Sequence, residues 1–110
     1  MNEKIQALLY SIGITGNYIG FYQAASAIEI AICDPQSLLM LTKKLYSDVA
    51  KQYKTDWKTV ERNIRTVISI AWKYSQRKLE TIAGRSLAKR PTPAQFISIL
   101  SCHLQGLNCA

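Results

Sequence analysis

Six apolar residues, Trp57, Val60, Ile64, Val67, Ile68 and Ala71, recur at helical spacing in the stretch KTDWKTVERNIRTVISIAW, Lys54 to Trp72. That spacing gathers them on one side of a helix, as a stripe that must be buried against other elements. Lys58, Glu61, Arg62, Arg65 and Ser69 fall roughly opposite, with Thr59 and Thr66 on the flank. No run elsewhere alternates apolar and polar residues between hairpin turns, so strands are not expected. The chain reads as helices with breaks.

A first helix is predicted over residues 3–13, with Ile5, Leu8, Leu9 and Ile12 on one face and Gly13 and Gly16 ending it. A second runs from about Tyr18 to Cys33. Ile19, Tyr22, Ala25, Ala27, Ile28, Ile30 and Ile32 wrap most of its circumference, which marks it as the most buried element. Asp34-Pro35 is a boundary, because a residue before proline avoids helical geometry. Pro35 then opens a helix over Gln36 to Leu45 that buries Leu38, Leu39, Leu41 and Leu45. A short helix follows from Ser47, a plausible N-cap, to Tyr53. Thr55 or Asp56 caps the long helix of the opening stretch. A weaker segment covers Arg77 to Ile82 and stops at Gly84. Thr92 caps a last helix from Pro93 to about Leu104.

With 110 residues and 48% hydrophobic composition, the chain supports one globular domain with a modest core. Fourteen Lys and Arg against seven acids leave a net charge of +7, which points to a polyanion, either nucleic acid or an anionic membrane. The longest apolar stretch, Ile19 to Cys33, is interrupted by Gln23, Ser26 and Glu29, so no membrane span is expected. No helix pattern combines a broad basic face with exposed Trp or Phe, which disfavours a membrane-surface role. The three cysteines make an odd count. The N-terminus carries Glu3 and no cleavage-site pattern, so free thiols in a reducing cytosol are expected.

The segment before the long helix, SDVAKQYKT, has the small residue Ala50 between Val49 and Lys51-Gln52, and Val60 follows ten residues later. A small residue there lets two helices approach closely, and Val49, Tyr53, Val60 and Ile64 fix their crossing. This is the pattern of a helix-turn-helix over about residues 47–73, although Lys54 stands where glycine is common. The second helix of such a unit presents its N-terminal side chains to base edges in the major groove. Arg62 suits guanine O6 and N7, and Glu61 suits cytosine N4. Lys58 and Thr59 lie one turn earlier. Lys51, Lys54, Thr55 and Lys73 are candidates for phosphates at the flanks. The competing reading of Glu61 is an ordinary surface ion pair with Arg65, four residues on.

The run LTKKLYSDVAKQYKTDWKTVERNIRTVISIAW resembles the DNA-binding effector domain of the stage-zero master response regulator of sporulation initiation. The likeness rests on Tyr46, Val60-Glu61-Arg62, Ile64-Arg65 and Ala71-Trp72, together with PTPAQFISIL and the early IGI. It extends over nearly the whole chain. It implies an all-α single domain of about six helices that binds a short asymmetric box of double-stranded DNA, often as tandem copies, and regulates promoters. It implies base-facing roles for Lys58, Thr59, Glu61 and Arg62, and a backbone or base contact for Arg65. Three departures stand out. No phosphoacceptor receiver domain precedes the first helix, so a receiverless fragment or free-standing relative is expected. The segment from Trp72 to Pro91 is about four residues shorter than in the family and more basic, in a neighbourhood that touches the RNA polymerase sigma subunit. Lys58 and Thr59 differ from the family's residues, so a different target box is expected.

An enzyme is not expected. The single histidine, His103, adjoins Cys102, but Cys102, His103 and Cys109 match no common zinc spacing, and no glycine-rich phosphate loop occurs. No cofactor or metal is implied. The alternative to a base reader is a receiverless interaction module that pairs with a full-length regulator or with polymerase through residues 73–90.

Overall fold

The computed structural model describes residues 3–106. Five α-helices run in chain order: α1 (Glu3–Ser11), α2 (Ile19–Cys33), α3 (Ser47–Gln52), α4 (Trp57–Ala83) and α5 (Pro93–Leu104). The domain is all-helical, and among the described residues there is no strand. No described helix is long and apolar enough to cross a membrane.

α2 is the axis of the molecule and packs against every other helix. Small residues make this possible. Gly20, Ala24, Ala25, Ser26, Ala27 and Ala31 are buried and let neighbours approach its backbone, while Phe21 and Ile28 fill the gaps. The expectation that α2 is the most buried helix holds, but the face is turned. Ile19 and Tyr22 are exposed, and Gln23 is buried in their stead. Gln23 is tolerated inside because its Oε1 accepts from Asn63 Nδ2 of α4 at 2.9 Å. Glu29 stands at the surface.

Gly20 sets the crossing of α2 and α4. A Cβ at this position would lie 2.7 Å from the Asn63 carbonyl oxygen and 2.8 Å from Val67 Cγ2. The first of these is backbone, so it cannot swing aside. The stripe read from the sequence is what α4 buries here: Val60, Ile64, Val67, Ile68 and Ala71 are buried and Trp57 is partly buried.

Two expectations about the middle of the chain are corrected. Gln36 to Leu45 is not one α-helix. A 3₁₀ turn over Pro35–Met40 is followed by a wide π turn over Leu41–Tyr46. The Ser37 N–H and hydroxyl both donate to the Asp34 carbonyl, at 3.0 and 2.7 Å, which draws the chain into i→i+3 winding. Met40 then leaves helical geometry at φ −126° and ψ 54°. Leu39 is thereby turned out, at 85% exposure, and only Leu45 of the four expected leucines is buried. Ser47 is not an N-cap either. The π turn runs directly into α3, and the Ser47 hydroxyl donates back to the Thr42 carbonyl at 2.9 Å.

The long helix and the weak segment after it form one element with a kink. Ser75 departs to φ −138° and ψ 32°, and Gly84, at φ 75°, closes the helix. Thr92 caps α5 in a reciprocal box with Gln95, at 3.0 and 3.2 Å. The expectation of free thiols is corrected at Cys102, which is disulfide-bonded. Cys33 is free and exposed, and Cys109 lies outside the described residues.

Replacing Gly20 with alanine should force α2 and α4 apart and lower stability by about 1–3 kcal/mol, the usual range for overpacking. Urea unfolding followed by circular dichroism measures this; an unchanged midpoint would refute the close crossing.

Candidate nucleic-acid interface

The polar side of α4 is positioned by restraints on its first turn and on the turn and helix before it. The Asp56 carboxylate accepts from the Thr59 N–H at 2.8 Å and so caps the helix. That hydrogen bond, with a lesser contribution from the charges of Lys58 and Arg62, holds the Asp56 carboxyl below its usual range. The turn before it closes with Thr55 N–H to the Ala50 carbonyl, 3.0 Å, and with the Tyr53 N–H shared between Val49 and Ala50. Between them Lys54 adopts φ 53°, the left-handed region that glycine fills without strain. Val49 and Ala50 are buried against α4. The Tyr53 hydroxyl lies 3.1 Å from Ser26 Oγ, tying the turn to α2.

With one side of α4 fixed by Gly20 and Asn63, the opposite side faces solvent. Lys58, the neighbours Glu61 and Arg62, then Arg65 and Ser69 follow along it, each set three or four residues from the next. They line a cleft of about 400 Å³ whose other wall is Arg90, Pro91 and Pro93. The cleft holds four cations, Lys58, Arg62, Arg65 and Arg90, against one acid. Glu61 is paired with Arg65 at 3.0 Å, so the ion pair weighed as an alternative does form. An exposed pair of this kind contributes only about 0.3–0.5 kcal/mol and is readily exchanged for another partner. Lys58 Nζ rests 5.8 Å from the centroid of the Trp57 ring.

Beneath this surface stands Tyr46, 1% exposed. Burial pushes its hydroxyl up to about 12; the nearby Glu61 carboxylate adds to the shift and Arg65 opposes it. Its Oη has no hydrogen-bond partner among the described residues. Sequence likeness singled out Tyr46, but nothing in its local pattern put it under the Glu61–Arg65 pair.

Not every predicted residue gathers here. Thr59 is half-buried on the flank and does not line the cleft. Lys51 is exposed at the end of α3 and Lys54 in the turn, while Thr55 is half-buried with its N–H already used. Lys73 is eight residues beyond Arg65, about 12 Å along the axis at 1.5 Å per residue. It belongs to a separate basic hollow around the kink, with Tyr74, Arg77 and Lys78. The sequence pattern missed two residues of importance. Asn63 orients α4 through Gln23, a partner 40 positions away. Arg90 joins the cleft through Ser69, whose Oγ accepts from Arg90 Nη1 at 2.7 Å.

Residues 5–104 match the family described as "Sporulation initiation factor Spo0A C terminal". The match takes in nearly the whole chain, and the chain belongs to that family. The family is a DNA-binding domain of sporulation regulators and not an enzymatic family, which supports DNA-binding transcription regulation as the class of function.

Lys54→Gly should relieve the left-handed strain in the turn. The gain, about 1–2 kcal/mol for a side chain in this region, is partly offset by glycine's greater freedom when unfolded. A net rise in the thermal midpoint is expected; a fall would show that Lys54 stabilises the turn by other contacts.

Proposed function

We propose that this member of the Spo0A C-terminal family binds double-stranded DNA in a sequence-specific way and regulates transcription through a helix-turn-helix made of α3, the turn at Lys54 and the first half of α4. The observation that carries the reading is the charged stripe of exposed Lys58, Arg62 and Arg65 with half-buried Glu61 on a helix whose opposite side is locked to α2. A helix about 10–12 Å across fits a major groove about 12 Å wide. Arg62 donates to guanine O6 and N7, and Glu61, released from Arg65, accepts from cytosine N4. Lys58 and Thr59, on the first turn, tune the choice of bases. Arg65 contacts base or backbone. Lys51, Lys54 and Thr55 meet phosphates on one flank. Lys73 is the weakest phosphate candidate, because it sits with the kink and not with the stripe.

One reading helix covers few base pairs, so useful specificity calls for tandem copies on neighbouring boxes, associating on DNA and weakly or not at all without it. A second role has its own support. Lys73, Arg77 and Lys78 gather around the Ser75 kink, apart from the reading stripe. That hollow suits an acidic protein partner, such as the polymerase sigma subunit or a full-length regulator, which the chain would modulate without itself activating.

Selection from a random duplex pool supplies the box. Arg62→Ala should then weaken binding to it by about 1–3 kcal/mol, the worth of one bidentate base contact, with unselected duplex little affected. Unchanged affinity for the box in a folded Arg62→Ala chain would reject the base-reading role and favour the interaction module.

A further inference from the structure

The basic run before α5 does not act as one patch. Arg90 turns away from Lys73, Arg77 and Lys78 and lies against the exposed side of α4. We propose that Arg90 is a second-element phosphate clamp: it grips the DNA backbone beside the groove that α4 enters. The inference rests on the DNA-binding reading above and adds to it a residue outside the helix-turn-helix of α3, the turn and α4.

Three observations place the clamp. The Arg90 guanidinium is held by one Nη, 2.7 Å from Ser69 Oγ, and Ser69 in turn donates to the Arg65 carbonyl at 3.0 Å. The remaining guanidinium N–H groups are free to take a phosphate oxygen in a charge-assisted fork. The loop that carries Arg90 is rigid. Pro91 and Pro93 are buried, a residue before proline has a narrow backbone range, and the Thr92–Gln95 box fixes the turn into α5. Little freedom is therefore lost when Arg90 binds.

Position decides for phosphate over base. Ser69 is eleven residues from Lys58 and seven from Arg62, so Arg90 stands about 16 Å and 10 Å along the axis from them at 1.5 Å per residue. Base edges are reached from the N-terminal part of a reading helix, whereas its later turns run out to the groove's rim. The backbone passes there, and Arg90, which has no acidic partner among the described residues, supplies an uncompensated positive charge for it.

The test compares wild-type and Arg90→Ala chains on the selected box and on an unselected duplex across a salt series. One lost phosphate contact should reduce the slope of log affinity against log salt by about 0.9. The weakening should be equal on the two duplexes, and Arg90→Lys should restore the slope. Arg90 is exposed, so the thermal midpoint of the Ala variant should match wild type. An unchanged slope, or a loss confined to the selected box, would overturn the clamp. With Arg62 still essential for the box, that result would leave base reading intact. A wild-type chain that bound no duplex would overturn both.

Discussion

The close crossing of α2 and α4 at Gly20 governs the molecule. With no side chain on Gly20, the backbone of α4 approaches to where a Cβ would lie 2.7 Å from the Asn63 carbonyl oxygen. That contact fixes the separation of the two helices, and the Gln23–Asn63 hydrogen bond fixes their rotation. This amide pair, Gln23 buried and Asn63 half-buried, is directional in a way that apolar packing is not, because a small rotation would leave the buried Gln23 amide unpaired. The consequence is felt on the other side of α4. Once its apolar stripe is locked, Lys58, Glu61, Arg62 and Arg65 have only one direction in which to point.

The exposed stripe of α4 is electrostatically poised and not saturated. Glu61 and Arg65 neutralise each other in the free protein through a surface pair of small worth. In the proposed complex both find new partners, a cytosine amino group and a phosphate or base, so opening the pair costs little. Tyr46 lies buried under it, its hydroxyl pushed up to about 12 mainly by desolvation. The stripe therefore rests on a buried, weakly polar floor while its upper surface stays free to exchange partners.

Much of this was legible in the sequence where the signal is local. The 3.6-residue period of Val60, Ile64, Val67 and Ala71, the Thr92 cap, the choice of Thr55 or Asp56 as the cap of α4, which the structure decides for Asp56, and the stop at Asp34-Pro35 all depend on neighbours within a turn or two. The all-α class followed from the same pattern. What escaped involves distant partners or competing local geometries. Gln23 and Asn63 each look like surface residues until they are paired across 40 positions. The leucine-rich segment after Pro35 has helical spacing, yet Ser37 draws the chain into a tighter turn and leaves Leu39 in solvent. Arg90 reads as one charge in a basic run, and only the fold brings it to Ser69. Cys102 looked like a free thiol by count and is disulfide-bonded.

The central claim is that the exposed stripe of α4 reads base edges in the major groove. Replacing guanine by 7-deazaguanine removes the N7 acceptor from that groove and leaves the backbone and the minor groove unaltered. Affinity should be measured for selected boxes in which one guanine at a time carries this change. The account predicts that at least one such guanine weakens wild-type binding several-fold, and that the same change has no further effect on the Arg62→Ala chain. Full affinity at every substituted guanine in a box that contains them would contradict it.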